Sequence, residues 1–347
     1  MSDLDKSKSW VELYKTLPMY QSQEGWIIKY PEFEALANEQ MHSFWPWDEP
    51  AVENDVQDLR TRLSEAELNG ITTVLKLFTI YERKVGEDYW SGRISKTFDR
   101  PEILRMSSMF SAVESNSHAP FYNKVNEVLY LDTPEFYSSW RESEQLSARI
   151  EFVGKAISNP DDAISFAAFT FVEGAVLYSS FAYIKHFQSQ ACGKDLIRNI
   201  CRGVDLSVAD EHQHSVGGAL LFNTLCFEMM QMYGIDIKEA LRESIYKMAL
   251  EVLDHESAII DLIFDGKEIS GISAEDLRTF VMSRIDLCLE NLGYEKLFKI
   301  ESNPVGDWFY KSINGRKLTD FFTGSGSEYN INWKRESFGS VWSEENV

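Results

Sequence analysis

Four helical stretches of this chain each set one carboxylate inside an otherwise apolar stripe. Two of the four add a histidine one turn further on, in Glu114-Ser-Asn-Ser-His118 and Glu211-His-Gln-His214. An unpaired buried carboxylate costs several kcal/mol, so a core that accepts one four times over needs cations to neutralise it. The pattern predicts a helical bundle built around a pair of metal ions.

The stripes can be traced residue by residue. Ser64-Glu-Ala-Glu67 forms a capping box, and Leu68, Ile71, Leu75 and Phe78 then step by three and four onto Glu82. A second helix begins near Pro101, a favoured first-turn residue, and its stripe is Ile103, Met106, Phe110, Glu114, His118, Tyr122, Val125, Leu129. Pro120 cannot donate to the carbonyl four residues back, so a kink or local widening is expected beside His118. After a more polar stretch through Glu142 comes an apolar helix from Ala163 to Ile184, with Glu173 its single charge and Asn159-Pro-Asp-Asp162 as its cap. It is long enough to cross a bilayer, but its Ser, Thr and Gly residues and its polar cap mark a core helix. The fourth stripe is Ile197, Ile200, Val204, Val208, Glu211, Ser215, Gly218, Phe222. Further helical patterns occupy roughly 223–233, 237–263 and 274–293. No run of strands is visible, and the fold class is all-α.

With 347 residues, 44% apolar and 13% aromatic, the chain has material for one large core with tails. Residues 1–60 read as an irregular arm packed on the bundle, 61–322 as the helical domain, and 323–347 as a flexible tail beginning at Thr323-Gly-Ser-Gly-Ser327. A net charge of −21 argues against non-specific nucleic-acid binding and against anionic membranes. The scattered Cys192, Cys201, Cys226 and Cys288, with no C-x-x-C pair, suit buried free thiols in a reducing cytoplasm.

Residues three or four apart share a helix face, so Glu114 can reach one site with His118, and Glu211 with His214. The order Glu82, Glu114/His118, Glu173, Glu211/His214 matches the ligand arrangement of ferritin-like di-metal bundles. One imidazole per metal among many oxygens suits iron or manganese better than structural zinc. Glu87 and Asp88 compete with Glu82 for the first position but do not continue its stripe, and His212 lies off the ligand face.

At these residues the chain resembles the small, radical-generating subunit of class I ribonucleotide reductase, over roughly residues 40–330. Ser43-Phe44-Trp45 with Asp55-Val-Gln-Asp58 is similar to the family's entry into its first ligand helix. Ala209-Asp210-Glu211 with His214 is similar to its D-E-x-x-H signature. Glu173-Gly-Ala-Val-Leu-Tyr-Ser-Ser-Phe181 resembles its third ligand helix, and Asp320-Phe-Phe-Thr323 with Glu328-Tyr329 the start of its tail. The resemblance implies a metal pair (Fe/Fe, Mn/Fe or Mn/Mn) that reacts with an oxygen species and delivers a one-electron oxidant to a separate large subunit, where ribonucleotides are reduced. It implies Tyr122 as the radical tyrosine and Trp45, Asp210 and His118 as the start of the transfer path. It also implies Tyr329 or Trp342 as a relay in a docking tail, and a homodimer.

There are departures. The family's first pair is E-x-x-H, whereas Glu114 and His118 are separated by three residues; one inserted residue in a π-bulge near Pro120 would reconcile them. Glu82 stands where many members have Asp. Metal identity, and storage of the radical on Tyr122 or on the metals, stay open. The rival reading within the fold is a di-metal oxidase or oxygenase acting on a small organic substrate, which predicts an open apolar pocket beside the metals. A storage or purely structural bundle would instead need cage surfaces.

Overall fold

The computed structural model describes residues 6–311; the tail assigned to 323–347, with Tyr329 and Trp342, lies outside the described residues. Among the described residues every regular element is helical, and extended pairing is limited to one isolated bridge, Ile269 with Ile272. The fold is a helical bundle whose buried centre holds the four carboxylate stripes.

The Glu82 helix, Glu65–Arg83, starts as its sequence demands: Ser64 Oγ accepts from Glu67 N, and Glu67 Oε2 accepts from Ser64 N. It runs directly into a π-helical stretch, Lys84–Ile94. The second ligand helix is divided into Pro101–Val113, a π turn Glu114–His118 and Ala119–Val128. The widening expected beside His118 thus falls on the ligand pair itself, with Ala119 N donating to Glu114 O five residues back.

The apolar segment around Glu173 is not one helix. It stops at Gly174, and Tyr178–Lys185 restarts after Leu177 adopts the left-handed conformation, φ 79°. Tertiary contacts explain the break: Gly174 O accepts from the buried Arg284 Nε at 2.8 Å, and a Cβ on Gly174 would stand 2.4 Å from Ser215 Oγ and 2.5 Å from Cys288 Sγ. The segment Asp162–Gln188 is apolar and long enough to span a membrane, but 94% of its most apolar window is buried inside the bundle.

The Glu211/His214 helix is unbroken over 36 residues, Arg198–Tyr233, so the pattern expected separately at 223–233 belongs to it. Gly218 lets it approach the Glu173 helix closely, with Thr170 N 3.1 Å from where a Cβ would sit. Helices Ile237–Phe264 and Ala274–Leu292 complete the bundle. Further helices lie outside the stripes, two of them on the bundle core. The N-terminal arm contains an ordered helix, Pro31–Ser43, packed on Pro101–Val113. Residues 144–158 form a further helix, capped by Ser143, whose buried face includes Leu146, Arg149, Ile150 and Val153.

That helix is tied to the core by a buried ion pair. Arg149 bonds Glu256, which also accepts from Ser179 Oγ at 2.6 Å, beside the restart of the Glu173 segment. Glu256→Ala leaves the guanidinium buried and unpaired, at a cost of about 3–5 kcal/mol. Urea denaturation of the metal-free protein should show that loss, with Glu256→Gln, which keeps an acceptor for Ser179, markedly less affected.

Candidate metal centre

The bundle brings together all six residues marked by the stripes. Glu82, Glu114, His118 and Glu211 form one group, and Glu114, Glu173, Glu211 and His214 a second. Within each, one ligand atom per residue lies within 4.8 Å of the others. All six are at most 1% exposed. Glu87 and Asp88 instead face solvent and pair with Arg83 and Lys84.

Glu114 and Glu211 stand between the two histidines. Glu114 Oε2 is 3.1 Å from His118 Nδ1 and its Oε1 is 2.9 Å from His214 Nδ1. Glu211 likewise turns Oε1 to His118 Nδ1 and Oε2 to His214 Nδ1, each at 3.3 Å. Glu82 Oε2 lies 3.9 Å from His118 Nδ1, and Glu173 Oε1 lies 4.0 Å from His214 Nδ1. Local geometry makes this approach feasible: Gly86, in the π stretch, leaves room for Glu114, whose Cβ is 2.7 Å from where a Gly86 side chain would begin.

These atoms converge without bonding one another. Both oxygens of Glu82, Glu114 and Glu211, Oε2 of Glu173 and Nδ1 of both histidines are buried with no hydrogen-bond partner. Buried polar atoms are rarely left unsatisfied, and four carboxylates with two imidazoles are the donor set for hard or borderline divalent ions. The cluster fits a di-metal site. Without cations, protons take up the charge. Burial and the neighbouring carboxylates raise Glu82 and Glu173 well above the usual carboxylate range. Burial alone would also raise Glu114, but His118 and His214 outweigh it and hold it low. His214 is held up at about 9 against its burial, chiefly by the carboxylates of Glu114 and Glu211 beside it, and His118 is raised as well.

Around the cluster the two halves differ. His118 Nε2 lies 3.0 Å from Asp210 Oδ2, which also accepts from Trp45 Nε1 at 2.8 Å; Gln40 Nε2 donates to Asp210 Oδ1 at 2.8 Å. Donation from Nε2 selects the tautomer that frees Nδ1 to ligate. On the other side Trp90 Nε1 donates to Glu173 Oε1 at 2.7 Å, and its ring stands edge-on to His214. Tyr122 is fully buried against Phe78 and Phe121, and its hydroxyl donates to Ser207 Oγ at 3.1 Å and to no carboxylate. Gln40, Trp90 and Ser207 were not singled out from the sequence; each meets the site through a tertiary contact that no helical spacing encodes. A cleft of about 430 Å³ lies elsewhere, lined by Lys84, Glu87, Asp88, Gly92, Arg93 and Lys96 among others, and includes none of the six.

A family model described as ribonucleotide reductase, small chain, matches residues 26–304. The ribonucleoside-diphosphate reductase small subunit of Dictyostelium discoideum is 24% identical over 306 residues, covering 87% of this chain and 84% of that protein. Two solved structures share the fold. The ribonucleotide reductase R2 subunit from Clostridium botulinum superposes with a TM-score of 0.70 at 19% identity, over 83% of this chain and 90% of that one. Dimanganese(II)-NrdF of Streptococcus sanguinis gives 0.70 at 20% identity, over 82% and 98%.

Metal uptake must displace the proton from His214, whose folded value near 9 lies above its unfolded 6.5. Apparent affinity for Mn(II) should therefore rise with pH, about tenfold per unit for each proton displaced, with the contribution of His214 ending above about 9. Calorimetry in buffers of different ionisation enthalpy measures the protons released. In the metal-free protein the sign reverses: this histidine's stabilisation is complete below 6.5 and is lost as pH rises through about 9. Trp90→Phe removes the donor that orients Glu173 and should weaken binding of one ion by about 10-fold or more, in the same titration.

Proposed function

The chain belongs to the ribonucleotide reductase small-chain family, and on that footing we propose that Glu82, Glu114, His118 and Glu211 hold one transition-metal ion and Glu114, Glu173, Glu211 and His214 a second. What carries the reading is the set of partnerless ligand atoms converging from four helices in a core closed to water. When bound, such a pair supplies one-electron redox chemistry with an oxygen species. Iron and manganese both suit the donors, and the dimanganese(II) form of the Streptococcus sanguinis neighbour supports including manganese.

The chain's own groups have separable tasks. Glu114 and Glu211, with one oxygen toward each histidine, would be the residues shared by the two ions. Trp90 occupies Oε1 of Glu173 and leaves Oε2 to ligate. Phe78 and Phe121 keep water from Tyr122, the residue on which we place the stored radical. Asp210 joins His118 to Trp45 through a single oxygen, so a proton can be held between ring and indole while an electron crosses. Trp45 is buried but flanked by Phe44 and Trp47, which are 43% and 40% exposed, and the path leaves the bundle there.

A large catalytic subunit is the partner that a small chain of this family implies. We further propose that residues 323–347 dock on it, with Tyr329 or Trp342 relaying the oxidant, and that the chain acts as a homodimer in the cytoplasm, where its four buried free thiols stay reduced. The rival reading, direct oxidation of a small organic substrate, calls for an open apolar pocket beside the metals, whereas among the described residues the six proposed ligands are at most 1% exposed.

Metal analysis of the purified protein should find two transition-metal ions per chain, and electron paramagnetic resonance after oxygen exposure a tyrosyl signal absent from Tyr122→Phe. With the large subunit added, Tyr122→Phe should lose nucleotide reduction by at least about 100-fold, the scale of losing a group essential to the chemical step. Full reduction by that variant would move the stored oxidant off Tyr122; absence of any bound transition metal would end the di-metal reading.

A further inference from the structure

Tyr122 sits in a cage with one polar wall. Phe78 and Phe121 lie 4.3 Å and 4.9 Å from its ring, centroid to centroid, and the tyrosine is fully buried. Phe121 itself is locked against the Glu211 helix, since its ring fills the space of a Gly203 side chain, with Cζ 2.1 Å from where a Cβ would sit. The phenolic hydroxyl donates to Ser207 Oγ at 3.1 Å, and Ser207 is also fully buried. Ser207 lies between Val204 and Val208, one turn before Glu211, where only packing would call for an apolar residue.

We infer that Ser207 is a positioning residue for Tyr122: it fixes the direction of the phenolic O–H and keeps it turned away from the carboxylates. The inference rests on the reading of Tyr122 as the oxidisable tyrosine. Leaving a buried hydroxyl without an acceptor is costly, so between the two phenylalanine rings the O–H follows the acceptor provided. Both oxygens of Glu82 are buried without a partner and its charge acts on the Tyr122 phenol, so Glu82 is the alternative acceptor that Ser207 competes against. A serine hydroxyl both accepts and donates, so it can meet the tyrosine oxygen whether or not that oxygen carries a proton.

The test uses the full-length protein with Ser207→Ala, Ser207→Thr and Tyr122→Phe. In metal-free samples, ultraviolet resonance Raman difference spectra against Tyr122→Phe isolate this one phenol. Wild type and Ser207→Thr should show the bands of a phenol donating to a neutral hydroxyl, and Ser207→Ala should lose them. In samples loaded with Fe(II) or Mn(II) and exposed to oxygen, electron-nuclear double resonance of the tyrosyl signal should show an exchangeable proton coupling in wild type and Ser207→Thr that is lost in Ser207→Ala. A Ser207→Ala protein with wild-type Raman bands, or with the same exchangeable coupling, overturns the inference. If no variant carries a tyrosyl signal, the radical assignment to Tyr122 falls by itself and the Raman comparison still decides the role of Ser207.

Discussion

Four carboxylates withdrawn from water at the centre of one core are the constraint on which the rest of this structure turns. Among the described residues their mutual repulsion is relieved by two imidazoles, with no arginine or lysine paired to them. In the absence of cations the cluster stays together by taking up protons, with Glu82 and Glu173 raised, the histidines raised, and Glu114 held down between them. The backbone adapts in the same place. A π stretch follows Glu82, a π turn spans Glu114 to His118, and the helix ends one residue after Glu173; only Glu211 and His214 ride on an uninterrupted helix.

The two positions are alike in ligands and unlike in surroundings. His118 is joined through Asp210 to Trp45 and Gln40, a polar line that leads toward exposed aromatics. His214 has no hydrogen-bond partner on Nε2 and is packed against Phe110, its ring 4.4 Å away, and against Trp90. One half is connected outward and the other is sealed by hydrocarbon. The division of labour between them follows from second neighbours rather than from ligand identity.

Much of this was legible beforehand because a helix turns its sequence into a face. Leu68, Ile71, Leu75 and Phe78 led onto Glu82, and the stripe from Ile197 to Phe222 carried Glu211, so the ligand helices and the all-α class could be read from spacing alone. What spacing did not reveal depends on chain segments far apart. Glu144–Ser158 buries a face that includes the charged Arg149, which pairs with Glu256 across 107 residues, and charge at a core position hides the pattern. The break after Gly174 depends on Arg284 and Cys288, and nothing in Ala175, Val176 or Leu177 announces it. Trp90 is eight residues beyond Glu82, and the π stretch between them carries it round to Glu173.

The π turn at Glu114–His118 is easily gained or lost by mutation. It holds its extra residue inside five positions, and ordinary α-helix resumes at Ala119 with Phe121, Tyr122 and Val125 facing the core. Loss of one codon among Ser115, Asn116 and Ser117 would convert the wide turn to an α turn, leaving two residues between the glutamate and the histidine and the downstream face in register. The wide turn is therefore one small mutational step from an ordinary α turn, confined to the place where the proposed metal ligands are presented.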